Sequence, residues 1–383
     1  MSLCKENKNK KIYLIGSCVE IESDSRNIYM IRSLLDMGEV YYDGYKIKIT
    51  KNKYINKILN ILNSTILFPT KFFKMLNSDL VIILAMNQNK VLEILLAKIL
   101  KKKVILDYFL SNYDTVICDR KIYSENSIFS KIYKFQDKNA LKTANKIIFI
   151  TRIEVERYLK IAGLSHKNIS YDIIPLAKED NFLIKGELPF FNNNNEITIC
   201  WWGTYIPLHG LDKIILAGKI LKEKNIKFKM YLFGNSEERS IPYMKQIKKM
   251  NLGDKIIIRN DYTFKNKKLP EFLIKNCDIA LGNFGDSEKA KNVMLYKIVD
   301  ALCLKIPILN GESIALDEFF DYENDLFRSL NTSEDIANKI IEISFLSKDE
   351  IDERVKIGYQ NYQKYFSFKA FKDKVTKLVE ETE

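Results

Sequence analysis

With 383 residues, 46% of them hydrophobic and 12% aromatic, the chain carries enough apolar material for two packed domains of about 150 to 200 residues. The formal net charge of +12 calls for anionic partners, but it is scattered and no nucleic-acid motif accompanies it, so nucleic acid is not expected. Two histidines, His166 and His209, exclude a histidine-rich metal centre, six cysteines without C-x-x-C spacing exclude a zinc site, and no apolar run approaches the ~20 residues that span a bilayer.

The first half of the chain alternates apolar runs with helical periodicity. Lys11–Cys18 reads as the first strand. Its exit loop holds Glu20, Glu22 and Asp24, and Ser25 caps a helix that Gly38 closes. EVYYDGY is the second strand. Residues 51–76 are apolar at helical spacing with Pro69 interrupting, and their LNILNSTILFPTKFFKML portion reads either as a core helix or as a membrane-surface helix. SDLVIIL, KVILDY, KIIFIT and SYDIIPLAK are four more strands, separated by helices over 89–102, 127–144 and 152–162. This alternation predicts a parallel, doubly wound sheet. Residues 180–196 break the pattern with Pro189 and the run Asn192–Asn195, so the domains are expected at 1–180 and 197–365, joined by a linker over 181–196. The last helix, over 366–383, is expected to return to the first domain.

The second half repeats the alternation. Strands are predicted at 197–202, 227–233 and 255–259, and helices at 210–224, 240–250 and 269–275. The segment 277–320 then reads as a strand (CDIALGNF), a charged loop (GDSEKAKN), a helix from Val293, and a second strand (IPIL). In open α/β sheets ligands bind beyond the carboxyl ends of strands, at helix N-termini. Lys289 and Lys291 in the charged loop therefore suit a phosphate or diphosphate, or else sit on a solvated loop. The loop Gly203–Gly210 stands at an equivalent place, and Gly203, with no Cβ, allows close approach of backbone and ligand. Further helices are predicted at 336–346, 351–365 and 368–381.

GNFGDSEKAKNVMLYKIVDALCLKIPILNGES resembles the donor-binding segment of GT-B glycosyltransferases of family 4, through Phe284, Gly285, Ser287, Lys289, Ala290, Lys297, Asp300, Ala301, Leu302, Pro307 and Gly311. WWGTYIPLHGLDKII resembles the glycine loop that opens their C-terminal domain, and LDYFLSNYDTVICDRK gives a weaker third match, in the family's order. The resemblance implies two Rossmann-like domains facing a central cleft. A nucleotide-diphospho-sugar would serve as co-substrate, with no cofactor and no metal. A glycan or lipid-linked acceptor would take the sugar with retention, in surface polysaccharide or glycoconjugate synthesis. The location implied is cytoplasmic, with an anionic membrane face as a further partner.

By the same resemblance, Gly203, Thr204, His209, Gly210, Gly234, Gly285, Ser287, Lys289, Lys297 and Asp300 bind the donor, Asp300 holding the ribose hydroxyls. Ser111, Tyr113, Asp114 and Arg120 follow the fourth strand and are assigned to the acceptor. Asp107 and Lys289 are assigned to the chemistry. The chain departs from the family pattern where Thr204 and His209 replace an Arg and a Lys, where Asn292 replaces the first of two acids, and at Tyr296. Those departures keep a second reading open, a non-catalytic sugar-nucleotide or glycan-binding protein. An epimerase on the same fold is less favoured, because its histidine and glutamate array is not apparent.

Overall fold

The computed structural model describes residues 10–16, 25–42, 68–180 and 196–382. Expectations for Glu20, Glu22, Asp24, the Ser25 cap, the strand end at Cys18, residues 51–67 and the linker up to residue 195 lie outside the described residues. The chain divides into two compact units, Met1–Pro175 with Phe371–Glu383, and Leu176–Ala370. The first division therefore falls five residues before the position read from the sequence.

The first unit is built on six parallel strands: β1 (Lys10–Ile15), β2 (Gly38–Tyr42), β3 (Leu80–Ile83), β4 (Lys103–Asp107), β5 (Lys146–Phe149) and β6 (Tyr171–Ile173). They lie in the order β2-β1-β3-β4-β5-β6. The strands read as near-continuous apolar runs because helices cover both faces; β3 and β4 are buried along nearly their whole length, around Val81, Ile83, Val104 and Leu106. Gly38 does not end a helix as expected. It opens β2 opposite Lys10, where a Cβ would lie 2.1 Å from the Lys10 carbonyl oxygen. Beyond Ile173 the expected sixth strand stops, and its last residues run on as irregular chain into the second unit.

The second unit has β7 (Ile197–Trp202), β8 (Phe228–Phe233), β9 (Ile256–Arg259), β10 (Ile279–Leu281), β11 (Ile308–Asn310) and β12 (Phe327–Arg328), again all parallel, in the order β12-β11-β10-β7-β8-β9. Strand β12 is two residues long and gave no signal in the sequence. Chain order reverses between β7 and β10, which makes the gap between their carboxyl ends the switch point of this sheet. Trp201, Ile199, Leu281 and Leu309 pack the sheet against the helices Leu211–Glu223 and Ser333–Ser344. The charged loop after β10 is not extended: Ser287 caps a short helix, Glu288–Asn292, by accepting from the Ala290 N–H at 3.1 Å. The helix Tyr296–Cys303 follows.

Candidate functional site

At the switch point of the second sheet, β7 ends at Trp202 and the chain turns at Gly203 with φ +154°, a conformation that L side chains rarely adopt. A Cβ there would lie 3.3 Å from Lys297 Nζ, 3.4 Å from Trp201 and 3.5 Å from His209 Nε2. Three side chains thus converge on one backbone position. Lys297, in the first turn of Tyr296–Cys303, is buried, with Nζ over the Trp201 ring at 4.4 Å and donating to the Gly282 carbonyl at 3.3 Å. An ammonium has three donors, and this one bond uses one of them. Burial holds the Lys297 pKa well below its ordinary value, against the pull of Asp300. Burial, and then the Lys297 charge, hold His209 well below its ordinary value as well. Its Nδ1 is buried without a hydrogen-bond partner, a costly state for a polar atom.

Two loops lock this arrangement. The short 3-10 turn Pro207–His209 ends at Gly210, left-handed at φ +63°, and a Cβ on Gly210 would lie 2.5 Å from the Phe284 carbonyl oxygen. A Cβ on Gly285 would lie 2.1 Å from the Leu208 carbonyl oxygen. Phe284 donates its N–H to His209 O at 3.3 Å, and Lys213 reaches Phe284 O and Asp286. Buried asparagines complete the frame. Asn310 accepts from the Asn283 N–H, Asn283 donates to Ala290 O, and Asn331 donates to Gly285 O. These asparagines escaped the sequence reading; their one signal is position, since Asn283 and Asn310 stand at the ends of apolar strands.

Asp300 sits one turn along from Lys297. Its Oδ2 accepts from Trp202 Nε1 at 3.2 Å, and Lys178 Nζ lies 2.8 Å from its Oδ1. Lys178 also stands 3.8 Å over the Phe264 ring. Lys178, Trp202 and Phe264 are not among the residues that the sequence assigns to the site; the sequence places Lys178 at the end of a strand. Asn292, where the resemblance places an acid, is buried with Oδ1 unpartnered. Lys289 is buried on the short helix, whereas Lys291 is partly exposed and faces Glu312 at 3.8 Å. Thr204 is half-buried and its carbonyl accepts from Ile206. Gly234 makes room for Tyr205, whose ring would lie 2.0 Å from a Cβ, and Tyr205 Oη donates to Asn260 at 2.7 Å. The structure therefore brings Gly203, His209 and Lys297 together and joins Gly210 to Gly285. Ser287 serves as a helix cap.

The residues assigned to the acceptor lie in the first unit and are tied into its framework. Ser111 donates to Asp137 at 2.6 Å and accepts from the Asp114 N–H; the Tyr113 N–H also donates to Asp137. Asp114 pairs with Arg157 at 2.7 Å, and Arg120 is exposed. Asp107, expected as a reactive carboxylate, is buried at the end of β4 with both oxygens on Arg26 Nε, at 2.8 and 2.9 Å. Arg26 spends its other nitrogens on the carbonyls of Ile174 and Pro175. Burial raises the Asp107 pKa and Arg26 opposes the rise. Among the described residues, no group of three or more His, Cys, Asp or Glu is placed to hold a metal ion, and no helix is long and apolar enough to cross a membrane.

Comparison with solved structures decides the architecture. A sucrose-phosphate synthase from Thermosynechococcus elongatus superposes with a TM-score of 0.70 at 13% identity, over 97% of this chain and 99% of that one. The chain has the GT-B fold. HepE of Anabaena, solved with UDP and glucose, gives 0.68 at 13% identity over 97% of this chain and all of that one. A glycosyltransferase from Rickettsia africae gives 0.66 at 15% over 98% and 99%. No protein-family model and no curated protein sequence matches the chain. At these identities the GT-B likeness speaks to fold, and the chemistry rests on the side chains at the switch point.

Proposed function

We propose that this GT-B protein is a glycosyltransferase that binds a nucleotide-diphospho-sugar at the second unit's switch point and passes the sugar to a glycan or lipid-linked acceptor, with retention, in surface polysaccharide or glycoconjugate synthesis. The observation that carries this reading is the convergence of Lys297 and His209 on Gly203. A buried cation with spare donors and a buried imidazole with an orphaned nitrogen are both costly when empty-handed. A diphosphate against Gly203 gives both a partner. As the glycosidic bond breaks, negative charge builds on the leaving diphosphate, and preorganised donors in a dry site stabilise that charge. Lys297 supplies it without a metal, and Lys289 is assigned to the same group. Asp300, held in place by Trp202 and Lys178, accepts from the ribose hydroxyls. With both oxygens on Arg26, which also reaches the Ile174 and Pro175 carbonyls, Asp107 is given a part in the framework and none in the chemistry. No cofactor is invoked. HepE bound to UDP supports a uridine nucleotide as the first ligand to try.

The test is thermal shift with UDP, UMP and uridine, followed by turnover of a radiolabelled donor panel with and without EDTA. UDP should raise Tm more than UMP does. If no nucleoside diphosphate moves Tm, the donor site is misassigned. If UDP binds and no donor turns over, the protein is a binder on this fold. Loss of turnover in EDTA, restored by magnesium or manganese, would reject metal independence.

A further inference from the structure

Helix Ile128–Thr143 faces the first unit's core with Ser130, Asp137, Ala140 and Leu141. Its outer face is unusual. At about 100° per residue, Ile128, Ile132 and Phe135 fall within roughly 60° of one another on the side opposite the core. They are 65%, 42% and 59% exposed. Just before the helix, Ile122 and Tyr123 are exposed as well, and Tyr123 stacks on Phe129 with ring centres 4.4 Å apart. This apolar strip is bordered by lysines: Lys131, Lys138 and Lys142 run down one side of it, with Arg120 and Lys121 at its leading end. Between residues 120 and 144 six basic residues stand against two acids, Glu125 and the buried Asp137.

We propose that this face docks the protein on an anionic lipid surface. Exposed apolar side chains along a helix, edged by lysines whose stems lie flat while their heads stay wet, are the chemistry of interfacial binding. An anionic headgroup layer complements the basic border, and each lysine near it adds attraction. The helix is too charged to enter the hydrocarbon, so it lies on the surface. Its inner face supplies Asp137, which fixes Ser111, Asn112 and Tyr113 by hydrogen bonds. The loop assigned to the acceptor is thus built on the helix that would touch the membrane, which suits a lipid-linked acceptor presented from that surface. The segment ending at Leu76, the membrane-surface alternative in the sequence, fits less well: in its described part, Phe68–Leu76, Lys71 is buried and paired with Glu93 at 2.7 Å, and Met75 is in the core.

This inference deepens the proposed function by naming where the acceptor's membrane would lie, and its test needs neither nucleotide nor acceptor. The full-length chain is sedimented with phosphatidylcholine vesicles, with and without phosphatidylglycerol. It should partition to the anionic vesicles, less so as salt rises. The double variant Ile132→Ser with Phe135→Ser should partition roughly tenfold more weakly. Lys131→Glu with Lys138→Glu and Lys142→Glu should lose the preference for phosphatidylglycerol. Circular dichroism and the Tm shift with UDP, both expected to match the parent, show that the variants fold. The proposal is overturned if the parent ignores anionic vesicles, or if the folded variants bind them as the parent does. It is also overturned if sedimentation equilibrium shows a dimer that the serine variant abolishes, which would make this face a self-association surface. Vesicle binding together with no response to any nucleoside diphosphate would leave the docking face standing and remove the donor-site reading alone.

Discussion

The carboxyl edges of the two sheets use their buried charged side chains in different ways. In the first unit, Arg26 engages Asp107, Asp137 gathers Ser111 and two backbone N–H groups, and Arg157 meets Asp114. Charge there is answered from within the protein. In the second unit, Lys297 and His209 are two basic groups side by side, each pushed toward its neutral form, and one imidazole nitrogen is left over. A carboxylate held by an arginine fixes a loop in shape, whereas two neighbouring basic groups pushed toward their neutral forms suit an anion.

The comparison breaks most visibly at Arg26. Arg26→Ala leaves Asp107 buried and unpaired, and should cost about 3–5 kcal/mol in urea unfolding. Lys297→Met should do the reverse, leaving stability unchanged or higher because it removes a desolvated cation, while UDP affinity falls by about 3 kcal/mol, roughly a hundredfold, in isothermal titration. A destabilised Lys297→Met with normal UDP affinity would make the two edges alike. Asp300→Ala should weaken UDP by about 1.5 kcal/mol, roughly tenfold, with the fold intact; unchanged affinity in the folded variant would take Asp300 out of the site.

The smallest effect is a matter of protons. Both groups have folded pKa values below their unfolded ones, so the unfolded chain binds more protons between those values and stability rises with pH there. For His209 that stability is present above about 6.5 and is lost as pH falls below it. A bound diphosphate raises both pKa values, so binding should take up a fraction of a proton and tighten as pH falls toward 6. Titration in two buffers of different ionisation enthalpy measures this, and a buffer-independent heat would contradict it.

Much of the frame was legible because apolar runs such as ITICWW and LVII dictate buried parallel strands. The site was half legible. Gly203, His209 and Lys297 stand out in the sequence only as separate residues, and it takes a parallel sheet whose order reverses at β7 to bring them together. The short helix Glu288–Asn292 was read as a loop because five residues hold too few apolar positions to show a period. Lys178 could not have been found at all: nothing local marks a residue whose partner, Asp300, lies 122 positions away. The partners of the residues assigned to the acceptor were not legible either, since polar side chains clustered after a strand look alike whether they face a ligand or, as Ser111 and Asp137 do, one another.

The interlock of Gly210 with Phe284 and of Gly285 with Leu208 has a consequence for inheritance. Each loop's backbone occupies the place where the other's side chain would begin, and the Phe284 N–H closes on His209 O across the join. An insertion or a larger residue in either loop has no room unless the other changes with it. The two segments, seventy-odd residues apart, therefore behave as one cassette: a chimaera that imports a relative's glycine loop should need that relative's post-β10 loop too, and variation in donor choice is left to residues outside the pair.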